Sequence, residues 1–331
     1  MVPPIHGDTG ILDAPEKWTG KSLDEIVNYR LNLVRGIQKI PVNEPTGRYI
    51  ESLQELAMAE HATDSDVKFT KATSAVGLLD GYNAPFGPIG EIKSAKFSNS
   101  PVERKIEKVY YDRDLLANDA VLKLYNSGIE ISQIQKCFSI GMMGKKRKLV
   151  PTRWSITATD DIISNDLVQQ ALEFSVIERY EVYHYEHLGN LYSIVLFPHR
   201  WLYEMIEAWY SNGVLGFGSD HEGVKGIDHP PEIAGAYYSA KLAVAEHLVS
   251  NQVQSGVLVL REIRPEYAIP VGVWQIREGV REAMKKKPEI ATSFENALDI
   301  AAKPMSISRK EWLVHGSLTQ LMKQKTISDF F

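Results

Sequence analysis

"ERYEVYHYEHLGNLYSIVLF", residues 178–197, decides the fold class. The first half is rich in Tyr, the second carries Tyr, Ile, Val, Leu and Phe, and "LGN" at 188–190 separates them, which is the composition of two strands joined through a turn. Around this hairpin the apolar spacing is mostly helical. Ser22 and Glu25 stand at capping-box spacing and open a helix over 22–39. Helical patterns also fit 47–60, 113–126, 131–143, 160–174, 200–210, 232–249, 274–286, 293–302 and 308–322. "EKVYY" (107–111) and "GVLVLREI" (256–263) read as strands, and "GYNAPFGPIG" (81–90) reads as a loop. Strands and helices do not alternate cleanly. The predicted class is therefore α+β, mixed helices and strands around one large core, rather than a doubly wound sheet. The body is expected over 1–322, as one or two subdomains, with a flexible tail at 323–331.

Composition narrows the function. The chain has 331 residues, 44% of them hydrophobic and 24% charged, with a net charge of −5. Proteins that bind nucleic acid unaided usually carry a basic footprint, because phosphate neutralisation dominates their affinity. Here the average sign is wrong, and only "KKRK" (145–148) and "KKK" (285–287) are densely basic. No apolar run approaches the roughly 20 residues that span a bilayer. "MVPPIHGDTG" lacks the basic start and apolar stretch of a secretory leader. The single cysteine, Cys137, excludes a disulfide within the chain and a cysteine-based zinc ribbon. A cytoplasmic protein without a membrane partner is expected.

Two stretches could carry chemistry. "GKKRKLVPTRWSITATDD" (144–161) sets Lys145, Lys146, Arg147 and Lys148 ahead of Arg153 and Trp154, then Asp160 and Asp161. Cations suit phosphates, an indole suits a base face, and carboxylates suit a metal. "GFGSDHEGVKGIDH" (216–229) reads as a Gly-rich loop in which Asp220, His221 and Glu222 are candidate ligands of a divalent metal, near Asp228 and His229. His184 and His187 share one strand but face opposite sides, so they should not chelate together. No P-loop, dinucleotide fingerprint, His-Glu-x-x-His or Gly-x-Ser-x-Gly pattern is present.

The chain closes on "QKTISDFF", with Gln324, Ile327, Phe330 and Phe331 at fixed spacing. One 3₁₀ turn sets Ile327, Phe330 and Phe331 together as an apolar plug, with a glutamine to orient it. The pattern resembles the PIP box, the peptide by which replication and repair proteins dock on the sliding clamp PCNA.

"PPIHGDTGILDAPEKW" (3–18), "KLVPTRWSITATDD" (148–161), "AGAYYSAKLAVAEHL" (234–248) and "LREIRPEYAIPVGVWQIREGVREAM" (260–284) together resemble the Nre family of archaeal DNA repair proteins, the NreA type. The resemblance implies a role in repair of damaged DNA, with PCNA as partner and a nucleoid association through the clamp. It names no reaction. Many members carry additional N-terminal sequence with paired cysteines of a zinc-binding kind. With Cys137 alone, zinc does not carry over. The resulting expectation is a clamp-recruited repair factor that contacts DNA or a nucleotide through 145–154. The alternatives are a metal-dependent enzyme acting on nucleic acid, using acids and histidines of 160–161 and 220–229, and a repair scaffold without a ligand of its own.

Overall fold

Ser22 opens the first helix by accepting the Glu25 amide on its hydroxyl, while the Glu25 carboxylate accepts the Ser22 amide. The cap satisfies donors that a helix start otherwise leaves orphaned. This computed structural model describes residues 9–43, 45–71, 85–211 and 213–318. The fold is α+β. The chain divides into two units, Met1–Ile163 with Ile269–Gly272, and Ser164–Ala268 with Val273–Phe331.

The first unit contains α1 (Leu23–Asn32), β1 (Arg35–Ile37), α2 (Arg48–Met58), β2 (Ser65–Phe69), β3 (Ile89–Phe97), α3 (Arg104–Tyr111), α4 (Ala117–Asn126) and α5 (Ile131–Ser139). The unit boundary falls within α6 (Thr152–Ala171). Its three-stranded sheet runs β1-β3-β2, parallel then antiparallel. Trp18, Ile26, Ile50, Ile106, Val121, Leu124, Ile134 and Cys137 are buried. Burial pushes the Cys137 thiol up to about 12, so it is a packed apolar group and not a nucleophile. Two expectations are corrected here. The helix expected over 22–39 stops at Asn32, because Arg35–Ile37 pairs with Ile89–Glu91. The strand expected at 107–111 is the second half of α3. Ile106 and Val109, three residues apart, are its buried face, and that spacing outweighs the β-propensity of Val-Tyr-Tyr.

The second unit is built on a six-stranded sheet. It contains β4 (Ser175–Val176), β5 (Tyr180–His187), β6 (Asn190–Phe197), β7 (Leu202–Ser211), β8 (Val214–Gly223), α7 (Gly235–Ser250), β9 (Val253–Gln254), β10 (Gly256–Ile263), α8 (Trp274–Met284), β11 (Glu289–Ala291), α9 (Phe294–Ala302) and α10 (Arg309–Val314). The sheet order is β11-β5-β6-β10-β7-β8, and only β10 and β7 run parallel. β4 and β9 form a separate parallel pair. The hairpin of 178–197 and the strand at 256–263 stand as the sequence reads them. The helix expected at 200–210 is instead β7. Between β10 and β8 it is buried on both faces, so polar and apolar residues do not alternate along it, and Glu204 and Glu207 mimic a helical interval. "GFGSDHEG" is likewise strand β8 and not a loop.

The two faces of this sheet differ. On one, Val182, Val195, Phe197, Ile206, Leu258 and Leu260 pack with Leu298, Ala301 and Trp312 in an apolar layer. The other carries Tyr192, Tyr203, Glu207, Glu222 and Arg261, all buried. The last described residues are tied to the sheet by Glu204, whose carboxylate accepts the Ser317 and Leu318 amides at 2.6 and 3.1 Å. Residues 324–331 lie outside the described residues. Among those described, no helix is long and apolar enough to cross a membrane.

Gly279 is where α8 meets the sheet: a Cβ there would lie 2.5 Å from Cε2 of Tyr192. Gly279→Ala is expected to lower stability by about 1–3 kcal/mol through overpacking, although alanine favours an isolated helix. Urea unfolding of the variant measures this, and an unchanged or higher midpoint would mean that α8 is not seated on that ring.

Candidate nucleic-acid interface

Residues 141–148 follow α5 as a turn whose shape glycine dictates. Gly141 has φ +70°, and a Cβ there would lie 2.8 Å from the Lys148 carbonyl oxygen. No L-side chain fits that backbone without strain. Met142 and Met143 are buried and hold the turn to the core. The exit is fixed as well: Leu149 donates its amide to the Val42 carbonyl at 2.8 Å, and Val150 donates to the Ser139 carbonyl at 2.8 Å. With both ends anchored, Lys145, Lys146 and Lys148 are left exposed.

Arg147 points elsewhere. Its guanidinium carbon lies 4.8 Å from the centroid of the Tyr110 ring, and it donates to the Tyr110 carbonyl oxygen. Arg113 reaches the same ring at 5.5 Å. Burial, and then the Arg113 charge, holds the Arg147 pKa below its ordinary value. Arg147 therefore clasps the turn to α3 and is not a free phosphate ligand like its neighbours. Tyr110 is itself fixed, its hydroxyl donating to Gln54 Oε1 at 2.9 Å.

Helix α6 begins four residues after Lys148, and its first turn presents Arg153 and Trp154. Trp154 is 60% exposed, which leaves a large apolar ring in water at a helix start. Asp160, one of the acids downstream, is buried and accepts from Gln135 Nε2 at 3.3 Å. The structure thus displays Lys145, Lys146, Lys148, Arg153 and Trp154 along one short segment, and none of the four cations forms an ion pair among the described residues. Exposed cations beside an exposed aromatic ring can neutralise phosphate and stack a base. Tyr110 and Arg113, which the sequence reading missed, flank this segment. The signal for Tyr110 was the three-residue interval of Ile106 and Val109 in α3.

The acids of the second unit do not form the expected metal set. Strand alternation in β8 turns Asp220 and Glu222 to the buried polar face and His221 to the other, where it is exposed. Glu222 accepts from Trp201 Nε1 at 3.0 Å, from the Tyr237 hydroxyl at 2.9 Å and from Lys241 Nζ at 2.7 Å. Lys241 also donates to Asn165 Oδ1 at 2.7 Å. Burial, and then the Glu222 charge, raises the Tyr237 pKa, so the phenol stays protonated and donates. Asp220 accepts the Ile233 amide at 3.2 Å and lies 3.4 Å from His229 Nε2. Among the described residues no group of three or more His, Cys, Asp or Glu is arranged to hold a metal. His184 and His187 are separate too, with His184 Nδ1 2.9 Å from Ser193 Oγ.

A second buried pair lies on the same sheet face. Arg261 of β10 donates Nη1 to Glu207 and Nε to Asn190 Oδ1, the latter at 2.9 Å. Register makes this pairing: Arg261 stands opposite Glu207 on one side and Tyr192 on the other. The basic residue inside "GVLVLREI" was the sequence signal of this pair, and the lysine inside "AKLAVAEHL" that of the Glu222 pair.

Two family models match the chain: "Archaeal Nre, N-terminal" over residues 1–215 and "Archaeal Nre, C-terminal" over residues 222–330. The short gap between them, 216–221, lies inside β8, and both contribute strands to the six-stranded sheet. The chain is 34% identical to "DNA repair protein NreB" of Archaeoglobus fulgidus over 99% of its own length and 85% of that protein's. It is 34% identical to "DNA repair protein NreA" of the same organism, over 99% of this chain and 83% of the relative. With "DNA repair protein NreA" of Haloferax volcanii it shares 31% identity, over 91% of this chain and 77% of the relative. No solved structure matches the chain.

Lys241→Met leaves Glu222 buried without its counter-charge and is expected to cost about 3–5 kcal/mol, much of it recovered when Glu222→Gln is added. Urea unfolding of both variants decides it; equal losses would show that the uncompensated charge is not the cause. A hydrogen bond to Asp228, and a weaker one to Asp220, raises the His229 pKa. Proton titration by NMR should place this imidazole above the ordinary value of about 6.5, and Asp228→Asn should lower it. Because the folded value is raised, the contribution to stability is complete at acid pH and is lost as pH rises through it.

Proposed function

The chain belongs to the archaeal Nre family, and from that membership we propose that it is a DNA repair protein. It would contact nucleic acid through Lys145, Lys146, Lys148, Arg153 and Trp154, and reach its site of action by docking Gln324, Ile327, Phe330 and Phe331 on PCNA. The observation that carries the nucleic-acid contact is the row of exposed cations, without an ion pair among the described residues, ending at an exposed tryptophan. The proposed clamp contact rests on the terminal sequence.

The two contacts make physical sense together. A chain with net charge −5 gains little from general attraction to DNA, and a few cations give an affinity that salt readily erodes. Tethering to a clamp that already encircles DNA would raise the local concentration of sites, so a weak contact could suffice. The metal-dependent alternative loses support, because β8 turns His221 away from Asp220 and Glu222, and Glu222 is held by Lys241, Tyr237 and Trp201.

Replacing Lys145, Lys146 and Lys148 with alanine should weaken binding to DNA and flatten its dependence on salt by about 0.7–0.9 for each phosphate no longer neutralised. Arg147 is left in place, because its removal would free the turn from Tyr110. Titration by fluorescence anisotropy at several salt concentrations measures both quantities, and an unaltered slope would move the contact elsewhere. Removing 324–331 should abolish PCNA binding in calorimetry without affecting the DNA titration. Phe330→Ala and Phe331→Ala should each cost roughly 2 kcal/mol. Undiminished clamp binding by the truncated chain would rule out these residues as the dock.

A further inference from the structure

A groove of about 910 Å³ runs along the first unit between α2 and β3. Its volume is near the upper end of the range for small-ligand pockets, but those are mostly apolar. This one is not. Arg48, Lys93 and Lys96 stand on its walls, and none is in an ion pair among the described residues. Two carboxylates, Glu55 and Glu107, line it as well, so charge alone gives it no strong pull on a polyanion.

Its aromatic rings are the informative part. Tyr49, Phe97 and Tyr111 line the groove, and Tyr111 is 68% exposed. The Tyr111 ring lies 5.2 Å from the Tyr110 ring at 70°. Tyr110 in turn carries Arg147 at the end of the basic turn. The groove and the exposed lysines are therefore linked through two adjacent tyrosines of α3.

Cations beside rings along a concave surface, here one exposed ring (Tyr111) and two half-buried ones, are the pattern that holds an unpaired strand: cations follow the phosphates, and rings stack bases. A duplex presents no free base face to such rings. We infer that the groove is a track for single-stranded nucleic acid that leads onto the basic turn. This inference rests on the nucleic-acid contact proposed above and adds the form of the ligand.

The test uses the full chain and labelled single-stranded DNA, single-stranded RNA of the same sequence, and the matching DNA duplex. Single strands should bind more tightly than the duplex, and the two single strands together show whether the sugar is read. Tyr111→Ala should weaken single-strand binding about tenfold without changing its salt slope, since stacking releases no counterions. Lys93→Ala with Lys96→Ala should lower the slope by about 1.4, two phosphates at the single-strand value. All three side chains are exposed or at the groove wall, and circular dichroism verifies that the variants fold. Preference for the duplex, or unchanged single-strand affinity in both groove variants while the lysine-turn variant still binds more weakly, overturns the track and leaves the turn contact standing. Absence of binding to any of the three by the wild-type chain overturns both.

Discussion

The second unit depends on one constraint: charges buried on an inner sheet face must be paired. Glu222 and Lys241 are each about 1% exposed, and Arg261 and Glu207 are nearly as deep. An isolated charge at such depth costs far more than any single contact returns, so neither partner is tolerable alone. The pairing is built into the topology. Parallel register of β10 on β7 sets Arg261 opposite Glu207, and α7, in the connection from β8 to β10, supplies Lys241 to Glu222. A slip of one residue in either strand would move these charges to the apolar face against Trp312 and Leu298. The pairs therefore fix register as well as satisfying themselves.

The same logic explains the oxygen and nitrogen atoms around them. Trp201, Tyr237 and Asn165 complete the hydrogen bonds of Glu222 and Lys241, and Asn190 completes those of Arg261. Tyr203 stacks on Trp201 and donates to the Tyr237 carbonyl at 3.0 Å, which joins the sheet to the first turn of α7. These are acids and bases held so firmly by each other that they serve the fold. In the first unit the reverse holds. Buried methionines and a glycine with positive φ fix the backbone of a turn, and the cations it carries are left to solvent. Side chains whose partners lie within the fold are structural, and those left unpaired are available to a ligand.

The hairpin of 178–197, the strand at 256–263 and most of the helices were legible in the sequence, because propensity, periodicity and caps are local properties. The exposure of Lys145, Lys146 and Lys148 was legible because like charges in series have few ways to be buried, although Arg147 among them is held on Tyr110. Elements were misread where local signals conflict with their surroundings, β7, α3 and β8 among them. β7 is covered on both faces, which removes the alternation that marks a half-buried strand. α3 is written in β-favouring residues, and only its packing made it a helix. Its misreading hid Tyr110 and Tyr111.

By itself, then, the sequence determined the fold class, the family and the basic segment, all of which reside in short contiguous stretches. Tertiary structure alone decided which charges are spent. Glu222 meets a lysine 19 residues away on α7, and Arg147 meets a tyrosine 37 residues earlier on α3. Strand alternation divides His221 from Asp220 and Glu222, which are its neighbours in the chain. A side chain's availability depends on what lies across from it, and that is set by register and packing rather than by proximity in sequence.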